Sequence, residues 1–137
     1  MISVISVTDN YILQPTTLQN HKTTMEWLSA ALLWKRELKF FQKLLDQFAP
    51  RFKSVEEKQK VDHFQSIITY YDGELIDSFR AKLRQHERHL AKMLEKKDES
   101  ETRYFKEHDA LMNDMSAIDK QLTEYKEEFY SFVESVM

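Results

Sequence analysis

His86, His89 and His108 are the side chains whose type and placement come closest to chemistry. Neutral imidazole ligates transition metals, and two or three that converge can form a site. The run His86-Glu87-Arg88-His89 sets two imidazoles about one helical turn apart. A chain that reverses near Asp98 would carry His108 back beside them, and counting residues from that reversal puts His89 near His108. His21 could approach the same end from an earlier helix. The carboxylates that complete helical metal sites are missing, however. None of the fourteen Glu has a His three residues on, and His-x-x-x-His, His-x-x-x-Glu and His-Glu-x-x-His do not occur. A seam histidine more often serves as a hydrogen-bonded core polar group or a register device. His86, His89 and His108 therefore stand as candidate metal ligands of a minority reading, no other cofactor is expected, and His63 reads as surface.

A second constellation is basic. Arg80, Arg84, Arg88, Lys92 and Lys96 recur every four residues and line one helix face. Arg80, Arg84 and Arg88 are the candidate anion-binding residues, for the phosphates of nucleic acid or lipid headgroups. No aromatic residue interleaves them and the formal net charge is −3, so neither nucleic acid nor membrane is expected as a partner. Helix pairing explains the line equally well. Residues 80–97 hold seven Lys/Arg against two Glu, whereas residues 98–137 hold eleven Asp/Glu against four Lys/Arg. Asp109, Asp114 and Asp119 would face the basic line across such a pair, each exposed contact contributing about 0–1 kcal/mol.

No catalytic residue is nominated, and no enzymatic activity is expected. A single glycine cannot form a phosphate-cradling loop, and Gly-x-Ser-x-Gly is absent. The chain has no Cys, which removes disulfides, thiolate ligands and thiol nucleophiles. Glu56-Glu57 and Glu127-Glu128 lie on polar helix faces, where carboxyls stay solvated instead of desolvated as general acids are.

The elements that must hold these residues are long helices. The 137 residues are 42% hydrophobic and 31% charged with one Gly and two Pro, a composition that favours periodic helix over sheet or disorder. Length argues for a single domain spanning residues 1–137. From Tyr104 to Val136 apolar residues recur at alternating steps of three and four, a stripe about 50 Å long at about 1.5 Å per residue. A stripe of that length must be covered. Trp27, Ala31, Trp34, Leu38, Phe41, Leu45 and Phe48 form another, with Leu28, Leu32, Leu33, Phe40 and Leu44 widening it.

Helices are expected over 23–49, 54–97 and 100–136. Thr23-x-x-Glu26 and Ser54-x-x-Glu57 have capping-box form, and Ala49-Pro50 closes the first helix. The seam steps by four from Tyr71 to Leu83 around Gly73, which predicts a bend or local unwinding there. The heptad count runs on through Lys97 and Ser100, so a fused rod competes with a turn near Asp98; polar residues at those seam positions favour the turn.

The expected fold is all-α: an antiparallel three-helix bundle preceded by a short irregular N-terminal arm and helix start over 1–22. The first helix is too short to cover the other two, leaving an apolar overhang around His86–Leu111 that invites the arm or a second subunit. The expectation is thus a cytoplasmic, non-enzymatic interaction or scaffold module, partnered by itself as a homodimer or higher oligomer, or by another protein. Met1–Thr8 lacks a basic, then apolar, leader pattern, and no run is long enough to span a bilayer.

Overall fold

The computed structural model describes residues 13–137; most of the expected N-terminal arm, residues 1–12, lies outside the described residues. Among the described residues there are four α-helices and no strand: α1 Pro15–Phe48, α2 Val55–Tyr70, α3 Ile76–Lys96 and α4 Thr102–Glu134. A 3₁₀ turn, Ala49–Arg51, follows α1, and a π-helical segment, Tyr71–Leu75, joins α2 to α3.

α1 begins eight residues before the expected start. Pro15 occupies its first turn, where a missing N–H costs nothing and φ is already helical. The Thr23 hydroxyl caps nothing; it donates to the Gln19 carbonyl at 2.9 Å, one turn back within the helix. The two added turns bury Thr17 and His21, which with Thr24 continue the Trp27 stripe toward the N-terminus. That extension also corrects the expected overhang. Leu13 and Leu18 pack with Leu90, Met93, Leu94 and Tyr104, so α1 covers the end that appeared bare.

α2 opens on the expected box. The Glu57 amide donates to Ser54 Oγ at 3.1 Å, and the Ser54 amide donates to Glu57 Oε1 at 3.1 Å. Unwinding occurs where the seam slips, over Tyr71–Leu75, with the Ile76 amide reaching back to the Tyr71 carbonyl. Gly73 does not cause it: its φ is not positive, and an added Cβ would meet no atom within 4 Å. Lys35 of α1 takes up the Asp72 carbonyl at 2.9 Å and bonds Asp77 Oδ1 at 2.6 Å and Asp72 Oδ1 at 3.2 Å.

After α3 the chain reverses. Lys97 adopts left-handed backbone (φ 53°, ψ 36°), and the Asp98 amide bonds the Met93 carbonyl at 3.1 Å, a Schellman-type closure on lysine where glycine is usual. Asp98 accepts from the Ser100 amide and hydroxyl at 3.0 and 2.6 Å, shaping the turn and not capping α4. α4 starts at Thr102 after Glu101, two residues later than expected.

Contacts fix the pairings. Along α1, His21 meets Glu87, Lys35 meets Asp77 and Gln42 meets Gln65, so partner numbers fall as α1 numbers rise. Toward α4 they rise together, from Trp27 beside His108 to Phe41 beside Phe129. Two hydrophobic clusters result. The larger centres on Phe41, Phe64, Tyr125 and Phe129, with Phe64–Phe129 centroids 5.6 Å apart and edge-on. The smaller joins Leu13, Leu90, Met93, Leu94 and Tyr104. The widening set on α1 splits: Leu28 and Leu44 pack on the core, while Leu32, Leu33 and Phe40 stay exposed.

Candidate functional site: a buried imidazole layer

Between the two clusters lies a layer of imidazole. His86 is fully buried and His108 nearly so. His86 Nε2 and His108 Nδ1 are 3.0 Å apart. The His86 ring stacks on Tyr104 of the smaller cluster (4.3 Å, 4°), and His108 stacks on Trp27 of the larger one (4.9 Å, 23°). Both rings project from the seams of α3 and α4, so the same stripes that bury leucine elsewhere bury them here.

Glu107 organises the layer. Its Oε1 lies 2.6 Å from His86 Nδ1 and 2.9 Å from His89 Nδ1. Burial pushes this carboxyl up, but the hydrogen bonds from the two imidazoles outweigh it and hold Glu107 below its ordinary value. An ionised carboxylate only accepts, so both Nδ1 atoms carry protons. His86 Nε2 is then an acceptor, and His108 Nδ1–H is its donor. His89 Nε2 likewise accepts from the Gln85 amide at 3.0 Å, and Gln85 Oε1 accepts from Arg88 at 2.7 Å. A single set of tautomers satisfies the whole chain from the exposed guanidinium to the buried ring. Burial drives His86 below its ordinary value despite Glu107, and drives His108 below its own with His86 adding to the effect. Both rings are neutral near pH 7.

α1 closes the layer with His21, whose Nδ1 is 2.8 Å from Glu87 Oε2. Burial pushes the Glu87 carboxyl up, against His21. Glu87 Oε1 and Tyr104 Oη are buried without a hydrogen-bond partner. Burial, with the charges of Glu87 and Glu107, raises the Tyr104 hydroxyl far above its ordinary value.

The candidate residues are therefore placed as follows. His86 and His108 are joined directly, and His89 joins them through Glu107 instead of touching His108 itself. Among the described residues no three His, Asp or Glu side chains are arranged to hold a metal ion. Arg80 is mostly buried and lies 3.6 Å from Asp77, whereas Arg84 and Arg88 are exposed. The cross-pair to Asp114 is made by Lys82 at 3.7 Å, not by an arginine of the basic line. Sequence reasoning missed Glu107, Tyr104 and Glu87. A signal for two of them exists: His86-Glu87 on α3 is mirrored by Glu107-His108 on α4 across the reversal.

Comparison of the chain with protein-family models, with curated proteins and with solved structures finds no match.

Proposed function

We propose that this chain is a non-enzymatic interaction module, an antiparallel three-helix bundle in which α2, the π-helical segment and α3 act as one rod, and that its partner is a second copy of itself. One observation carries the reading: a strip of large apolar side chains along the α1–α4 boundary. Leu33 and Phe40 are 57% and 53% exposed, seven residues apart on one face of α1. Met112 and Tyr130 are 46% and 41% exposed, eighteen residues or five turns apart on one face of α4. Phe41 packs edge-on against Tyr130 at 5.3 Å, and Lys126 bonds Glu37 at 2.9 Å, which sets the two faces side by side. The one ion pair on the strip neutralises itself. Large exposed apolar side chains gathered on one side of a charged surface are a usual mark of a protein–protein contact, and isologous pairing is the commonest way for one surface to be covered.

The buried groups support the same reading. The ionisable side chains that converge, His86, His108, Glu107 and His89, are taken up by bonds to one another. No helix among the described residues is long and apolar enough to cross a membrane.

Sedimentation velocity over a concentration series tests the proposal. Wild type is expected to associate at high micromolar concentration, and Leu33→Glu with Phe40→Glu is expected to keep it monomeric with unchanged helicity. A wild-type chain that remains monomeric throughout would end the self-association reading.

A further inference from the structure

The imidazole layer is a joint between two otherwise separate apolar clusters. Tyr104 belongs to the smaller cluster and stacks on His86; Trp27 belongs to the larger and stacks on His108. At the centre of the joint is one hydrogen bond between two neutral rings, whose response to protons follows from the donor count. The resting pair holds two N–H protons, on His86 Nδ1 and His108 Nδ1. A first added proton is accommodated: His86 becomes imidazolium, donating to Glu107 from Nδ1 and to His108 from Nε2, while the proton of His108 moves to its own Nε2. A second added proton is not. Two N–H donors then face each other across 3.0 Å, with two positive charges between aromatic rings.

We propose that the His86–His108 pair is a proton-operated latch, closed at neutral pH, whose double protonation releases the Leu13–Leu90–Met93–Leu94–Tyr104 end of the molecule while the Phe41–Phe64–Phe129 core stays folded. The inference rests on this geometry and is independent of the self-association reading.

The surrounding charges set its range. On α4, Glu107 favours a proton on His86, and Asp109 favours one on His108. On α3, His89 opposes protonation of His86, and Arg88 reaches His89 only through Gln85. Between α1 and α3, His21 and Glu87 border the layer beside the Tyr104 hydroxyl. Glu87 works against release, because its raised carboxyl takes up a proton more readily in the closed form. The sign for the pair is the opposite. Both rings sit below the ordinary value of 6.5 when closed and return to it when open, so closure is fully stable above that value and weakens as pH falls beneath it. Beside the larger cluster, His63 lies next to Phe64 but is exposed.

Hydrogen exchange on the full chain at about pH 7.5 and about pH 5.5, corrected for intrinsic rates, tests the latch. Amides of residues 90–94 and 104–108 are expected to lose protection by up to roughly tenfold for each ring that takes up its proton only on opening. Amides around Phe41, Phe64 and Phe129 are expected to hold theirs. In the double variant His86→Gln, His108→Gln, which keeps polar groups that do not titrate, the local loss should vanish. Equal loss in both regions, no loss, or loss that persists in the double variant overturns the proposal. Should the double variant not fold, nitrogen-15 spectra of wild type decide. A His108 proton on Nδ1 at neutral pH that transfers to Nε2 before release supports the latch; one already on Nε2 at neutral pH sinks it.

Discussion

Two of the polar bridges between helices are built on opposite principles. At the π-helical segment Lys35 reaches from α1 to Asp72 and Asp77 with Asp77 nearly half exposed. Near the α3–α4 reversal, His86 and His108 meet with almost no exposure at all. The first bridge is ionised and wet. Burial lowers the Lys35 ammonium, but its bonds to Asp77 and Asp72 outweigh that and leave it raised, while the same contact with Lys35 lowers Asp77. Its contribution is present below the ordinary lysine value of 10.5 and above the ordinary aspartate value of 3.8, and is lost only outside that span. The second bridge is neutral and dry, so it begins to fail a little below neutrality. The ordinary values of the bonded groups thus set each bridge's pH range, and burial moves the histidines below their own.

The contrast can be calibrated and attacked by substitution. Phe129→Ala supplies the reference. It deletes a fully buried ring between Phe41 and Phe64 and should cost about 3–5 kcal/mol in urea unfolding. His86→Leu removes the acceptor of His108 Nδ1–H and one donor to Glu107, and should cost about 1–3 kcal/mol near pH 7. That cost should shrink as pH falls below the ordinary imidazole value, since wild type loses there what the variant never had. Lys35→Met should cost only about 1 kcal/mol or less, with a loss constant from about pH 5 to about pH 9. A loss at Lys35 larger than that at His86 would reverse the comparison. Gly73→Ala should gain about 0.5–1 kcal/mol, because the backbone there is helical and the added methyl meets open space. A destabilised Gly73→Ala would mean that the π-helical segment needs the freedom of glycine after all.

Much of this was legible in the residues. The α4 seam, the Ser54–Glu57 box and the slip near Gly73 all follow from local patterns that tertiary packing reinforced. The true start of α1 was hidden because its buried stripe runs on through Thr17, His21 and Thr24, which do not register as apolar. Apolar counting also misjudged Leu33 and Phe40, since a wide hydrophobic face does not reveal which of its edges is covered. In the candidate site the seam positions of His86 and His108 were readable, but the partnership with Glu107 was not. Which of two histidines one turn apart faces a ring on another helix depends on rotation about the helix axis, and the π-helical segment sets that rotation.

That segment acts as a phase shifter for everything downstream. A π turn holds one residue more than the α turn it replaces, so the five residues Tyr71–Leu75 turn the chain about as far as four α-helical residues would, and Ile76 returns to the buried stripe of Ile68. Wound as ordinary α-helix, the eight steps from Ile68 to Ile76 would leave α3 turned by about 80° and carry His86 off the seam. The imidazole joint therefore depends on a wider turn some ten residues upstream that touches none of its members.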